Sequence, residues 1–189
     1  MAAQRLRLPR GVARLVVIGA VLITAALAWR WWLERPESVA PPVAGADSSA
    51  AGLRAATLWF ASHDGDSLVS EPRDLPELAG LHERVAALVA ALEQGPRQDG
   101  VRTLPQGTFV LHVYLDEAGL VTLDLSRQFR QGFSGGARAE ELALASLVRT
   151  LAGGVPEMKH LRIVCGGVAL PTLGGHFPLD QPLDPGDWP

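Results

Sequence analysis

The clearest candidate for catalysis lies in the sequence Gly132-Phe133-Ser134-Gly135-Gly136, which satisfies the G-x-S-x-G pattern of a serine nucleophile. In α/β hydrolases this pattern forms a sharp strand-to-helix turn that exposes the serine hydroxyl. A serine nucleophile also needs a base, and the base needs an orienting acid. Residues of both types follow in the sequence, namely Glu157, Asp180, His160 and His176. A serine hydrolase using Ser134 is therefore one hypothesis.

The expected surroundings of Ser134 argue against that hypothesis. The hydrolase turn belongs to a broad parallel sheet, whereas fewer than about forty residues follow the next helix and the preceding strand belongs to an antiparallel hairpin. A serine just before a helix is also a preferred N-cap, because its oxygen accepts a backbone N–H. We therefore expect Ser134 to cap a helix, predict no catalytic residue, and interpret the chain as a protein that is not an enzyme.

Neither a metal site nor a cofactor site is indicated by the spacing of polar residues. No two of the histidines stand at a familiar metal-ligand spacing on a helix; they are His63, His82, His112, His160 and His176. The acidic run from His63 to Asp66 lacks the twelve-residue calcium loop that ends in a bidentate glutamate. The glycines form neither G-x-G-x-x-G nor G-x-x-x-x-G-K. We predict no metal and no cofactor.

Three ring-bearing residues, Trp59, His112 and Tyr114, are predicted on the outward faces of strands. Such rings offer a large apolar contact area with a polar edge, and they commonly line ligand sites. They form the candidate binding surface, with a cell-wall glycan or a small ligand as its target. The alternative interpretation is that the same rings pack under a helix.

Charge and cysteine content restrict the partners and the compartment. Residues 1–35 carry six arginines and one acid, whereas residues 36–189 carry 11 basic and 19 acidic side chains. An acidic domain with scattered arginines lacks the basic stripe that a phosphate backbone requires, so nucleic acid is excluded as a partner. Cys165 is the single cysteine, and its strand-like setting predicts a small buried hydrophobic residue.

A hairpin and a helix are predicted at the start of the globular part. Strand-forming residues fill 56–60 and 67–70, and an Asp-Gly pair between them favours a tight turn. Asp74 is expected to cap a helix in the D-x-x-E pattern with Glu77. Apolar residues then recur at three- and four-residue spacing from Leu78 to Leu92, before Gly95-Pro96 ends the helix.

A second hairpin is predicted over residues 109–115 and 120–125, followed by a helix over residues 136–151 and a strand over residues 161–165. Glu140 and Glu141 fall at the start of that helix, where negative charge favours the macrodipole. The predicted fold class is α+β. It is a two-layer sandwich with two helices on one face of a small mixed β-sheet, preceded by an N-terminal transmembrane helix.

The N-terminal region predicts a membrane anchor. A basic segment, residues 1–14, precedes nineteen mostly apolar residues, 15–33, which as a helix reach roughly 28 Å, close to the thickness of a bilayer core. Arginines are retained on the cytoplasmic side. The prediction is therefore a single-pass protein of the cytoplasmic membrane, with its N-terminus inside and its C-terminal domain extracytoplasmic or periplasmic.

A cleavable signal peptide is the alternative for the same segment, because Ala26-Leu27-Ala28 has the small-x-small pattern of a cleavage site. The residues after that site include Trp29, Trp31 and Trp32, which favour an interfacial anchor instead. Residues 34–53 are small and rich in proline, and they predict a disordered linker. One domain is expected over residues 54–183, and residues 184–189 are predicted to be a tail.

Several short sequences resemble those of the GerMN domain of spore-germination and sporulation proteins. They are Leu104-Pro105-Gln106-Gly107-Thr108, the strand exit from Val121 to Phe129, the run from Gly135 to Glu141 and the closing Thr172-Leu173-Gly174-Gly175-His176. The resemblance covers about residues 55–183. It implies a small α/β domain, exported and membrane-attached, that takes part in cell-envelope or spore-envelope assembly. It brings no catalytic residue set.

These expectations combine into one functional hypothesis. The chain is interpreted as a non-catalytic interaction or scaffold domain in envelope assembly, attached to the membrane through residues 15–33. Its partner is expected to be a protein or a second copy of itself. Binding of peptidoglycan or of a small ligand is the alternative, and the serine hydrolase ranks third.

Overall fold

The computed structural model describes residues 52–188 of the chain. The predicted anchor, residues 15–33, and all but the last two residues of the predicted linker lie outside the described residues. Within the described part, no helix combines the length and the apolarity that crossing a bilayer requires. The fold contains both helices and strands, so the predicted α+β class is confirmed.

The domain begins with a two-stranded antiparallel sheet. Strand β1, Leu53–Ala61, pairs with β2, Leu68–Pro76, and both strands are longer than predicted. The turn between them contains Gly65 at a φ of 74°, a backbone conformation that glycine adopts readily. The predicted first hairpin is therefore confirmed, although residues 62–67 join its strands in a longer connection than the tight turn predicted.

Helix α1 spans Leu81–Gln94 and begins later than predicted. Asp74 does not cap it, because Asp74 belongs to β2 and pairs with Ala55 of β1. The N-cap is Gly80, which offers no side-chain hydrogen bond. Pairing with β1 continues as far as Pro76, so the hairpin takes up the residues that the capping pattern assigned to the helix. The predicted end at Gly95 is confirmed.

A second sheet contains the other four strands in the order β3-β4-β5-β6. They are β3 at Val110–Leu115, β4 at Leu120–Leu125, β5 at His160–Cys165 and β6 at Val168–Ala169. Strands β4 and β5 are parallel and the other pairs are antiparallel. The second hairpin and the strand from residue 161 were both predicted; β6 was not.

A bulge changes which side chains of β3 face the core. The register of β3 against β4 shifts between Val110 and His112, so Val110 and Val113 both pack against the core. Phe109 would face the core with Val113 if the side chains alternated without interruption, but it has 45% of its surface exposed. One extra residue in a strand reverses the alternation beyond it, and a period-two pattern cannot reveal where that happens.

Two helices follow β4: the single turn α2, Gln128–Gln131, and the long helix α3, Ala137–Gly154. Ser134 does not cap α3, since the N-cap is Gly136 and no side chain caps this end. The helix continues three residues beyond the predicted end at residue 151, through Gly153 and Gly154, and Val155 is its C-cap. Helix α3 connects β4 to its parallel neighbour β5, as a crossover must.

The prediction of a single mixed sheet is wrong, because β1 and β2 form a sheet of their own. Helix α3 contacts the free edge of β1. The backbone N–H of Trp59 donates to Thr150 Oγ1 at 3.0 Å, and the hydroxyl of Ser146 donates to the Trp59 carbonyl at 2.5 Å. Both hydroxyls belong to α3. They satisfy the backbone groups of Trp59 that another strand would otherwise pair.

One core joins the helices to both sheets. Helix α3 packs on β1, while α1 contacts β1, β3 and α3. The largest side chains in the core come from β1, β4, β5 and all three helices; among them are Phe60, Leu92, Leu123, Phe129, Leu147 and Ile163. Cys165 is buried and has a free thiol, as predicted, and burial raises its pKa. Of the predicted tail, Trp188 packs against this core and contacts Phe177.

Candidate functional site

Ser134 lies in the loop before α3, exposed to solvent, on a surface cavity that His63 and Asp64 also line. Among residues 52–188, the histidine rings that form side-chain hydrogen bonds pair with Asp99, Asp124 and Glu140, and none of them pairs with Ser134. The nucleophile–base contact that a hydrolase needs is therefore not assembled here.

The residues predicted as partners of Ser134 are engaged elsewhere. The His176 ring is 2.9 Å from a carboxylate oxygen of Glu140, and Glu157 contacts Arg84 at 3.5 Å. His160 starts β5 on the exposed side, and Asp180 is exposed. In the described part of the chain, no group of three or more histidine, cysteine or acidic side chains is placed to hold a metal ion.

Glu140 is the most unusual charged residue of the domain, because its carboxylate is fully buried. It lies in the first turn of α3, as predicted, but it faces the core and not the solvent. Its oxygens accept the backbone N–H of Leu173 at 3.0 Å, the backbone N–H of His176 at 2.9 Å, and Nδ1 of the His176 ring. A buried carboxylate is stable when donors surround it in this way.

The pKa of Glu140 reflects the balance between burial and these donors. Burial by itself raises the pKa, because a charge is costly in a poorly polarisable surrounding. Hydrogen bonds from backbone N–H groups of the segment 173–177 and from the ring of His176 outweigh burial and lower the pKa. Glu140 is therefore ionised at neutral pH and holds the segment after β6 against the start of α3.

Two of the sequences that carry the resemblance meet at this carboxylate. Glu140 comes from the run after Gly135, and its donors come from the closing Thr172–His176 run. A Cβ on Gly174 would lie 2.6 Å from the Phe133 ring and 3.0 Å from the Glu140 carboxylate, so only glycine fits this close approach. The contact assigns both sequences a structural role. The sequence predicted the position of Glu140 in the helix but not the donors to its carboxylate, because those donors lie 33 or more residues further along the chain.

A buried pair of oppositely charged side chains stabilises the end of α1. Arg73 and Glu71 are both almost fully buried on β2, and the Arg73 guanidinium donates to Glu71, to the Ala91 carbonyl at 3.0 Å and to the Gly95 carbonyl at 3.1 Å. A cation at the C-terminal end of a helix satisfies carbonyls that have no partner inside the helix. The D-x-x-E pattern did not predict this pair. Its contacts give it a structural role at the end of α1.

Of the three predicted surface rings, two lie together. His112 and Tyr114 stack on β3 with their ring centroids 6.2 Å apart, and Tyr114 has 63% of its surface exposed. Trp59 belongs to the other sheet and is half-buried, with the Arg149 guanidinium 4.1 Å from its ring centroid. Tyr114 pairs with Thr122, which pairs in turn with Arg162. We call His112, Tyr114, Thr122 and Arg162 the open sheet face.

Comparison with known proteins gives the relatives of this fold. The model of the Germane family, described as "Sporulation and spore germination", matches residues 57–170. A crystal structure of a candidate lipoprotein from Clostridium perfringens is similar, with a TM-score of 0.51 and 22% identity over 76% of this chain and 95% of that one. No curated protein matches.

Two structures of the sporulation protein GerM from Bacillus subtilis are also similar. Its first GerMN domain gives a TM-score of 0.54 and 21% identity over 71% of this chain and 99% of that one. Its tandem GerMN domains give a TM-score of 0.57 and 18% identity over 72% of this chain and 48% of that one, so this chain spans about half of the tandem structure. The family model covers more than half of this chain. The chain therefore belongs to the Germane family and contains a GerMN-type domain.

Proposed function

We propose that the chain is a non-catalytic interaction domain of the cell envelope, tethered to the cytoplasmic membrane and working on its outer side. Family membership supports a role in the envelope, and its description as "Sporulation and spore germination" supports sporulation-related assembly. The similar fold of a candidate lipoprotein supports attachment to a membrane. The arginines before residues 15–33 support the orientation, with the N-terminus inside.

The observation that carries an interaction role is the open sheet face. Tyr114 and His112 stack on each other, outside the core, on β3, which is an edge strand of the four-stranded sheet. Exposed aromatic residues beside an unpaired strand edge offer both a ring surface and backbone hydrogen bonds to a partner. Strand β3 carries no lysine, proline or acidic residue that would hinder pairing. We propose that a protein partner, or a second copy of the chain, binds here.

Site-specific photocrosslinking tests this proposal. A photoreactive amino acid replaces Tyr114 in the full-length chain in cells, and the same amino acid replaces Glu83, an exposed residue of α1, as the matched control. We expect a crosslinked protein or a crosslinked dimer from position 114 and none from position 83. Equal adducts from both positions, or adducts from neither, would contradict the open sheet face as the interface.

A glycan-binding module is the second candidate function, favoured by the stacked pair itself. Flat exposed rings are typical of surfaces that bind small or sugar-like ligands. Sedimentation of the full-length, detergent-solubilised chain with purified peptidoglycan separates the two proposals. Loss of co-sedimentation in Tyr114→Ala, without loss in Trp59→Ala, would support glycan binding at β3. Persistence of a monomer in light scattering would exclude self-association.

A further inference from the structure

A cavity of about 470 Å³ lies where the start of β1, the end of β2, the start of α1 and the end of α3 meet. This volume falls within the range of small-molecule sites. Its walls are partly aliphatic, with Leu75, Leu78 and Leu88 among the lining residues, and partly charged, with Arg54, Arg84 and Glu77. It does not include the open sheet face or the surroundings of Ser134.

Arg84 supplies the positive side of this cavity. Its side chain is only 23% exposed, and within residues 52–188 its Nε–H has no hydrogen-bond partner. Its one ionic contact is with Glu157, at 3.5 Å from Nη2, which is the outer limit of a hydrogen bond. A partly buried guanidinium has five N–H donors in a fork that matches a carboxylate. The buried Nε lacks a partner, and among residues 52–188 the guanidinium forms one side-chain hydrogen bond, through Nη2, so Nη1 remains for a ligand.

The negative side of the cavity comes from Glu77 and the end of α3. Gly153 and Gly154, the last residues of α3, line the cavity, and no basic residue occupies the last turn of that helix. The carbonyl groups at a helix C-terminus carry partial negative charge and favour a cation. The lining of the cavity therefore combines cationic groups, an anionic group and aliphatic side chains.

From this arrangement we infer that the cavity binds a zwitterionic aliphatic ligand, a short peptide with free amino and carboxyl ends. The carboxylate lies against Arg84 and Arg54, the ammonium lies toward Glu77 and the end of α3, and an aliphatic side chain contacts Leu75, Leu78 and Leu88. The two charges of such a ligand match two charges of opposite sign on the walls. A dianion would meet Glu77 unfavourably, so a zwitterion fits better than a phosphate. This inference is independent of the function proposed for the open sheet face.

Calorimetry with the detergent-solubilised full-length chain tests this site. The probe is alanyl-leucine, compared with N-acetyl-alanyl-leucine, which lacks the ammonium, and with alanyl-leucine amide, which lacks the carboxylate. We expect one saturable site for alanyl-leucine and an affinity about tenfold or more lower for each blocked peptide. Equal affinity of the three peptides, or no saturable binding of alanyl-leucine, would overturn the inference.

Variants assign the two charges to residues. Arg84→Gln is expected to abolish binding, and Arg97→Gln, at an exposed arginine just beyond the other end of α1, is the matched control and should bind normally. Glu77 is exposed, so Glu77→Gln tests the ammonium side without disturbing the core. The Glu77→Gln variant should bind alanyl-leucine and N-acetyl-alanyl-leucine with equal affinity. If it still binds the free peptide more tightly, the assignment of the ammonium group to Glu77 is contradicted. Stronger binding of glycerophosphoethanolamine than of alanyl-leucine would identify a lipid headgroup and overturn the peptide assignment.

Discussion

Glu140 shows how a single side chain connects two distant sequence motifs. Its position in the first turn of a helix predicts that its negative charge interacts favourably with the helix dipole, and the structure places it in that turn. The carboxylate is also the acceptor for the loop that follows β6. The loop therefore depends on the charge of one helical residue.

The pKa of Glu140 predicts how stability changes with acid. Because the folded state lowers this pKa below its ordinary value of 4.5, the ionised carboxylate stabilises the fold fully above that pH. The stabilisation is lost as the pH falls below 4.5 and through the folded-state value. Replacing Glu140 by Gln should cost about 2 kcal/mol at neutral pH, since an amide group then faces backbone N–H donors.

Urea unfolding across the pH range measures this effect. The stability difference between the natural chain and Glu140→Gln should shrink as the pH falls below 4.5. Glu141→Gln, one position further along α3 and partly exposed, serves as the control and should cost much less. Since the pKa of Glu71 is also lowered, despite its burial, by its bonds with Arg73 and two backbone N–H groups, Glu140→Gln should keep some acid sensitivity.

Replacing Ser134, unlike replacing Glu140, is expected to have almost no effect on stability. It is exposed and caps nothing, so Ser134→Ala should change the free energy of unfolding by no more than about 0.5 kcal/mol. A fluorophosphonate probe should not label the natural chain, because no histidine activates this serine in the described structure. Stoichiometric labelling that disappears in Ser134→Ala would restore the hydrolase hypothesis.

At the scale of elements, the sequence predicts most helices and strands but not how they pair. Both hairpins, both main helices and β5 were predicted, because their apolar periodicity and turn residues are local signals. Both predicted helix N-caps were wrong. Asp74 belongs to β2, and Ser134 lies before Gly136, which is the N-cap of α3. The bulge in β3 and the separation of the sheets depend on contacts between distant residues, which no local pattern reports.

Two hydroxyl groups of α3 bind the free edge of β1 at Trp59, and their contribution to stability can be tested. Thr150→Val keeps the side-chain volume but removes the acceptor for the Trp59 N–H, so we expect a loss of about 1–2 kcal/mol of unfolding free energy. Ser146→Ala removes the donor to the Trp59 carbonyl and should cost a similar amount.

A double-mutant cycle shows whether the two hydroxyls act together. Because both bind the backbone of one residue, the double variant should differ from the sum of the single losses. Ser70→Ala, at an exposed position of β2, is the control and should be nearly neutral. A neutral Thr150→Val would contradict the role assigned to these hydroxyls.

At the scale of the whole molecule, the candidate site was the least predictable feature. The resemblance identified the family, and the aromatic residues of β3 were predicted to be exposed, yet Trp59 proved to belong to another sheet. The cavity beside Arg84 had no sequence signal at all. Its walls come from four elements, so its charges meet only after the chain folds.

The N-terminal segment makes a prediction for the intact protein in cells. A retained anchor gives a mature mass near the 20.1 kDa of the whole chain in purified membranes, whereas cleavage after Ala28 gives a chain that starts at Trp29. We expect the intact mass, measured by mass spectrometry of membrane extracts. A compartment-sensitive reporter fused after residue 189 should be active only outside the cytoplasm. Activity of the reporter in the cytosol would contradict the proposed orientation.

The bond between Glu140 and the loop after β6 has a consequence for the order of folding. A nascent chain leaves the ribosome with its N-terminus first, so Glu140 emerges 33 residues ahead of the Leu173 amide that it accepts. The carboxylate in the first turn of α3 therefore stays in contact with water until residues 173–176 have also been made. Premature termination at residue 170 would leave every strand present and this carboxylate without its donors, and such a fragment would be a target for proteases.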